Sequence, residues 1–385
     1  MDFSLTPAQR DLRAAATDLA VRHFADRAYR RTSYAWDSAK VLAEAGFTGI
    51  TVSTQDGGQG GSLLDAVIVL EAVSRVCPHS GDVLQATNFG AIRQVATLGG
   101  ERLRQELLPA LVAGDRLISV GMSEPDAGSA LTDLRTSARY DGDAVVLNGQ
   151  KCWTTHGPEA TDMVVWCRFG PGSANIGAVV VPTDTPGFTR GPVERFMSGE
   201  QHCVSYLDEV RVDRSKVLGD RDVLGRLMSV FGIERTGNAV RALALAESAF
   251  DIAREYAASR RQFGRPLCTF QGIQWKFAEM RTELDAARLL IYRAAANASA
   301  GAPSTAEASI AKLHCNQAAF RVANEAIQIC GASGYSQAMP LEYIARRVRG
   351  WMIAGGTLEM LKNRIAEEVF DRRFPQRQAA SAADR

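Results

Sequence analysis

The sequence predicts an α+β protein in three consecutive blocks: helices, then an antiparallel β-barrel, then a four-helix bundle. Three observations predict it. Apolar residues recur at helical spacing through the first third, short β-forming bursts divided by turn residues fill the middle, and long stretches dense in Ala, Leu and Arg return at the end. On this reading residues 1–117 form an all-helical domain, 118–222 the β-barrel domain and 223–375 the bundle, with 376–385 a small, polar, disordered tail. A chain of 385 residues is long enough for more than one core.

Each block has its own signals. Thr6-Pro7-Ala8-Gln9 combines an N-cap threonine, proline at the first helical position and glutamine at the capping-box position, and Leu12, Ala16, Leu19 and Phe24 follow at helical spacing. A second helix is expected over Trp36–Ala45, ending at Gly46, and a third after Ser62 through Val76. Asn88 to about Ala113 reads as further helix. The run Asp56-Gly-Gly-Gln-Gly-Gly61 lacks the Lys and Ser/Thr of a phosphate loop, so it is read as a turn. Strands are expected over Ala144–Leu147, Met163–Phe169, Gly177–Val181 and Val204–Val212, with Asp141-Gly142, Asn148-Gly149 and Gly170-Pro171-Gly172 between them. No helix-length segments alternate with these strands, so they are not βαβ units. The bundle helices are expected over Glu234–Arg261, Gln271–Ala300, Ala306–Ile329 and Thr357–Phe370.

Composition excludes several classes. With 44 basic and 43 acidic residues the formal charge is +1, which leaves no electrostatic footprint for nucleic acid or an anionic membrane surface. No run of about 18 apolar residues predicts a membrane span. The start, MDFSLTPAQRDL, has no basic region followed by an apolar one, so no secretion signal is read. Cys77, Cys152, Cys167, Cys203, Cys268, Cys315 and Cys330 are scattered and never paired as CxxC, which fits reduced thiols in a cytoplasmic protein. The five histidines show no metal-ligand spacing, so no metal site is expected.

Five segments carry a resemblance: Met122-Ser-Glu-Pro-Asp-Ala-Gly-Ser-Ala130, Asn148-Gly-Gln-Lys-Cys-Trp-Thr-Thr155, Arg260-Arg-Gln-Phe-Gly-Arg-Pro-Leu267 with Phe270-Gln271, Gln328-Ile-Cys-Gly-Ala-Ser-Gly-Tyr335 and Ile353-Ala-Gly-Gly-Thr357. In this order, and from about Asp2 to Phe370, the chain resembles the acyl-CoA dehydrogenase family. The resemblance implies FAD as cofactor and an acyl-CoA or other acyl thioester as substrate. It also implies an electron-transfer flavoprotein or similar acceptor, and a homotetramer or homodimer with FAD at the subunit interface. By the same resemblance Ser123, Trp153 and Thr155 hold the flavin ring, and Trp153 and Thr155, two apart on a strand, would share one side. Arg260, Gln262 and Phe263 reach the FAD of a neighbouring subunit. Gln271, Gln328 and the loop from Gly331 to Gly334 bind its ADP half, and Thr357 and Glu359 add to the cofactor site. Taken without the family, the same residues read as a turn with a core tryptophan and as cations at a helix C-terminus.

The reaction class needs a base beside an acidic α-carbon and donors for the thioester oxygen. Most relatives place a glutamate just before the Gly-Thr pair; here Gly355 stands there and cannot be a base. A subset resembling isovaleryl-CoA and long-chain acyl-CoA dehydrogenases carries the carboxylate early in the first bundle helix. Glu234, within Phe231-Gly-Ile-Glu-Arg-Thr236, falls on that position. The expectation is that Glu234 takes the α-proton and flavin N5 the β-hydride, with the Gly355 N–H and a ribityl hydroxyl on the thioester oxygen. The bland reading of Glu234-Arg235 is an acid at a helix N-terminus beside a surface arginine. Gly355 also leaves room for a branched or cyclic acyl group.

Arg235 and Ser129 are implied in substrate binding, and Arg93 is either a solvated arginine or the receptor of an acidic acyl end. Ala130 and Gly232 replace acids usual in the family, which keeps a carrier-protein thioester open beside CoA. The competing readings use the same fold for flavin monooxygenation or N-hydroxylation, nitroalkane oxidation or desulfination, or keep it as a non-catalytic scaffold.

Overall fold

Helix α1 (Pro7–Phe24) starts as its sequence dictates: Thr6 Oγ1 accepts from Gln9 N at 3.2 Å, and Gln9 Oε1 accepts from Thr6 N at 3.1 Å. The computed structural model describes residues 3–29, 33–298 and 301–375. The expected tail at 376–385 lies outside the described residues. Helix α2 (Trp36–Glu44) follows, and α3 (Leu63–Val76) opens with a second capping box between Ser62 and Asp65. The helical run expected from Asn88 to Ala113 is divided. Asn88 ends α4 (Pro78–Asn88), and Gly90 and Gly99-Gly100 set off α5 (Ala91–Leu98) and α6 (Glu101–Val112).

The middle holds β1 (Ile118–Gly121), β2 (Ser137–Asp141), β3 (Ala144–Lys151), β4 (Asp162–Arg168), β5 (Ile176–Pro182), β6 (Phe188–Arg190), β7 (Glu194–Arg195), β8 (Gln201–His202), β9 (Ser205–Asp213) and β10 (Val217–Gly219). The main sheet runs β10-β5-β4-β2-β3-β9-β6, with β1 beside β4 and a separate β7–β8 ribbon. The expected barrel does not close. The end strands β10 and β6 have three residues each, and β2 meets β4 through the single pair Ser137–Arg168. That leaves too little continuous pairing for a cylinder. The sheet is also not purely antiparallel, because β1 and β2 both run parallel to β4. Both of its faces are covered: Val164, Trp166 and Val180 pack toward α5 and α6, while Met163, Val165 and Val179 pack with Val145, Leu147 and Val210.

The last block contains α7 (Leu224–Ser259), a hairpin of β11 (Arg261–Gln262) and β12 (Arg265–Pro266), α8 (Gln271–Ala296), α9 (Thr305–Cys330), α10 (Ala332–Tyr335), α11 (Leu341–Trp351) and α12 (Leu358–Val369). Helix α7 starts ten residues before the expected Glu234, so Glu234 sits in mid-helix and the helix-terminus reading of it is overturned. The helix runs through Gly232 and Gly237. At Gly237 a Cβ would lie 2.1 Å from Gln85 Oε1 and 2.7 Å from Phe89 Cγ, so glycine lets α4 approach α7 closely. Helices α7, α8 and α9 pack together as expected. The fourth place, expected for the last helix, is taken by α11, which packs on both α7 and α9, while α12 lies on α9. Helix α3 of the first block packs on α7 and α8, and Leu70, Val73, Leu243, Ala246, Leu284 and Ile291 share one core.

Candidate active site

Two positions expected to act together, Glu234 and Gly355, are linked through Arg235. Glu234 and Arg235 are neighbours on α7, and Arg235 Nε donates to the Gly355 carbonyl at 3.1 Å. Arg235 is buried with its guanidinium over the Phe231 ring, which overturns its reading as a surface arginine. Gly355 and Gly356 have φ of +74° and +96°, so this turn is built for glycine. A Cβ at Gly355 would meet only Lys312 Cε at 3.5 Å and Asn238 Nδ2 at 4.0 Å, ordinary contacts, so the space expected there exists.

Glu234 is half-buried, and its Oε2 is enclosed without a hydrogen-bond partner among the described residues. Burial pushes its carboxyl up to about 7, against the opposing pull of Arg241, Arg235 and Lys312. A carboxylate poised there can hold or release a proton near neutrality, which is what a general base requires.

Sequence reasoning missed Lys312. It is fully buried, and its Nζ donates to the carbonyls of Trp351 at 3.1 Å and Gly356 at 3.0 Å. Burial, then the charge of Arg235, brings its ammonium down to about 7. Asn316 Nδ2 donates to Trp351 O and to Asn238 Oδ1. The Gly355–Gly356 turn is therefore held by Arg235 on one carbonyl and Lys312 on the next. The available signal was a lysine set between Ile310-Ala311 and Leu313 in the small and apolar stretch of α9.

The middle-block residues form a second group. Ser123 follows β1, and its carbonyl accepts from Cys152 N at 2.9 Å, which places it beside Trp153. Trp153 and Thr155 lie beyond the end of β3, so the expected strand alternation does not apply to them. Trp153 has φ +59° and a 59% exposed indole beside Phe196 and His202. Left-handed backbone at a tryptophan is costly and is held only where its surroundings enforce it. Here the enforcement includes a buried pair that sequence reasoning did not find. Lys151 Nζ donates to Glu124 Oε1 at 2.7 Å, and Glu124 accepts from the N–H groups of Arg135 and Thr136. Burial raises Glu124, but Lys151 and these donors outweigh it and hold its carboxyl below the usual range. Ser129 is exposed in the same loop.

The third group lies on the outside of the last block. Arg260 caps α7, and the following hairpin turns at Phe263 (φ +50°) and Gly264 (φ +79°), leaving Phe263 93% exposed. Gln262, Gln271 at the start of α8, Gln328 and Gly331 are exposed, while Gly334 is buried against Cys330. The expected loop from Gly331 to Gly334 is the short helix α10, entered through Gly331 at φ +59°. Thr357 caps α12 by accepting from Met360 N, and exposed Glu359 follows in its first turn. Within one chain no described contact joins this group to Trp153.

Arg93 stands apart. It is 9% exposed, donates Nη1 to Thr51 O and lies against Gly301, with Nε unpartnered among the described residues. The solvated reading is overturned, and no described contact links Arg93 to Glu234.

An exposed indole beside Thr155, a hydroxyl-bearing loop at Ser123 and an exposed turn at Gly331, where a Cβ would meet nothing within 4 Å, fit an aromatic, phosphate-bearing cofactor. No group of three or more His, Cys, Asp or Glu among the described residues could hold a metal ion. No described helix is long and apolar enough to cross a membrane.

Known proteins resemble this chain along nearly its whole length. Three family profiles match in order: acyl-CoA dehydrogenase N-terminal domain over residues 6–115, middle domain over 119–210 and C-terminal domain over 224–370. A 3-sulfinopropanoyl-CoA desulfinase of Paraburkholderia xenovorans is 36% identical over 389 residues, covering 98% of this chain and 100% of the relative. The butyryl-CoA dehydrogenase structure from Megasphaera elsdenii superposes with TM-score 0.91 at 31% identity, covering 96% of this chain and 100% of that one. A glutaryl-CoA dehydrogenase from Mycobacterium smegmatis, in complex with FADH2, gives TM-score 0.89 at 26% identity and 96% coverage of both chains.

Proposed function

The chain belongs to the acyl-CoA dehydrogenase family of FAD-dependent oxidoreductases, and from that premise we propose that it oxidises the α,β-carbons of an acyl thioester with Glu234 as base. The observation that carries the reading is the half-buried Glu234 carboxyl, raised to about 7, beside a Gly355 turn fixed by Arg235 and Lys312. Glu234 removes the α-proton. The Gly355 N–H binds the thioester oxygen as negative charge develops there. Arg235 positions that N–H through the Gly355 carbonyl. FAD, when bound, supplies the acceptor for the β-hydride.

Ser123, Trp153 and Thr155 hold the flavin ring of the same chain. Arg260, Gln262, Phe263, Gln271, Gln328, Gly331, Gly334, Thr357 and Glu359 serve the cofactor at the interface with a second copy, as a homotetramer or homodimer. The exposure of Phe263 supports this part, since a 93% exposed phenylalanine on a rigid hairpin asks for a partner surface. Ser129 and Arg235 hold the thioester's carrier, CoA or a carrier protein. An electron-transfer flavoprotein or similar acceptor removes the electrons.

A second reading, desulfination, is favoured by one observation. Arg93 is a buried cation without a carboxylate partner among the described residues, suited to an anionic acyl substituent, and a relative 36% identical is named for removing a sulfinate. Anaerobic mixing of holoenzyme with acyl-CoA esters and with 3-sulfinopropanoyl-CoA tests both. Flavin bleaching by a plain acyl-CoA, lost in Glu234→Gln, supports dehydrogenation. Sulfite release without net bleaching, unchanged in Glu234→Gln, supports the second reading.

A further inference from the structure

Helix α7 presents Glu234, Asn238 and Arg241 at i, i+4 and i+7, one stripe on one face. Arg241 lies about 10 Å along the axis from Glu234, and its side chain leans back toward the helix N-terminus. Burial dominates the Glu234 carboxyl, and among the charges Arg241 pulls hardest against it, in keeping with the shared helix face. An acyl chain bound with its α-carbon at Glu234 would extend along this stripe, where an ordinary fatty acyl pocket is apolar.

This region is instead polar. Arg241 is 7% exposed and Nη1 donates to Asp82 Oδ1 at 2.8 Å. Asp82 does not depend on Arg241, because Arg347 Nη2 reaches both of its carboxylate oxygens at 2.7 Å. Burial raises Asp82, but Arg347 and Arg241 outweigh it and hold the carboxyl well below the usual range. Arg347 also pairs with Glu200 at 2.9 Å. Both guanidiniums lie over the Trp351 ring, Arg241 at 4.8 Å and Arg347 at 5.0 Å from its centroid. The Tyr34 ring packs edge-to-face with His156 at 5.1 Å, within electrostatic reach of Asp82.

Arg241 Nε, Arg347 Nε and Tyr34 Oη are enclosed without hydrogen-bond partners among the described residues. Buried donors are normally satisfied, so three together ask for an acceptor. Asp82, Glu200 and Glu159, whose carboxylate accepts from Tyr34 N, already stand against Arg241 and Arg347, so no unmet positive charge remains and a neutral oxygen fits better than another anion.

We propose that Arg241 and Tyr34 form a specificity subsite for a hydroxyl or carbonyl oxygen carried on the acyl chain beyond the β-carbon. The proposal rests on the dehydrogenase reading and names its substrate class: oxygenated rather than plain alkyl thioesters.

The test uses holoenzyme with butyryl-CoA, 4-hydroxybutyryl-CoA, hexanoyl-CoA, 6-hydroxyhexanoyl-CoA and adipyl-CoA. It reads anaerobic bleaching for kcat/KM and calorimetric Kd for non-oxidisable thioether analogues. The expected result is at least a tenfold preference, in both readouts, for a hydroxylated chain over its plain partner. Tyr34→Phe and Arg241→Met should each lower that ratio severalfold, and Tyr34→Phe keeps the test open if Arg241→Met fails to fold. Equal use of plain and hydroxylated chains, or adipyl-CoA as the best six-carbon substrate, overturns the subsite while leaving the dehydrogenase reading intact. Failure of every thioester to bleach the flavin removes that reading and the subsite with it.

Discussion

Arg235 Nε donates to the carbonyl of Gly355 at 3.1 Å, so the residue next to Glu234 fixes the turn that carries the Gly355 N–H. The bond orients the N–H side of the turn without touching the reacting atoms. Arg235→Ala should therefore lower kcat/KM by about 10- to 100-fold while FAD content stays near one per chain. Arg235→Lys, lacking the planar fork, should recover only part of the loss. Steady-state kinetics with flavin quantitation checks both.

The carboxyl of Glu234 predicts a pH dependence. Only its ionised form is a base, so kcat/KM should rise with pH through about 7. The stability sign is opposite. Because its folded value lies above the ordinary 4.5, the folded state holds the proton more tightly, and stability falls as pH rises from 4.5 to about 7. Glu234→Gln should therefore be more stable than the parent at pH 8, by up to about 3 kcal/mol. Denaturant melts of both proteins at pH 5 and pH 8 measure the difference.

The Glu124–Lys151 pair predicts a stability cost tied to the cofactor. Lys151→Met leaves Glu124 buried and charged without its partner and should cost about 3–5 kcal/mol. The loop bearing Trp153 loses its brace at the same time, so FAD should be released at lower denaturant than the fold is lost. Adding Glu124→Gln should recover part of the stability. Tryptophan and flavin fluorescence, followed together, read both events.

Much of this was legible in the chain. The capping residues Thr6 and Ser62 act as their spacing indicated, because capping is local chemistry. The runs at β4 and β5 are strands because they are apolar throughout and buried on both faces. Helix α4 was missed although Pro78 stood at its start, since a helix this deeply buried shows little polar alternation. The start of α7 was hidden by Gly225 and Gly232, which the helix runs through, while Gly237 further along serves close packing. The Asp82 cluster joins residues 159 and 265 positions apart, so no window of sequence could reveal it. Lys312 is similar, because the groups it satisfies are backbone carbonyls that leave no mark in composition.

The Gly355 turn predicts its own intolerance. With φ at +74°, Gly355→Ala finds room for the methyl group but not for the backbone conformation, and should cost about 1–2 kcal/mol. Its effect on kcat should exceed its effect on Kd for a thioether analogue, because the displaced N–H matters most as charge develops on the oxygen. Melting curves, calorimetry and single-turnover bleaching separate the two.

If Glu234 removes the α-proton, α-proton exchange measures that step alone. A thioester that bleaches the parent enzyme is incubated in D2O with holoenzyme, and deuterium at its α-carbon is followed by NMR. The parent should exchange the α-proton in the pH range where Glu234 is ionised, and Glu234→Gln, still carrying FAD, should exchange it at least a hundredfold more slowly. Exchange at the parental rate in Glu234→Gln would place the base elsewhere and contradict the account.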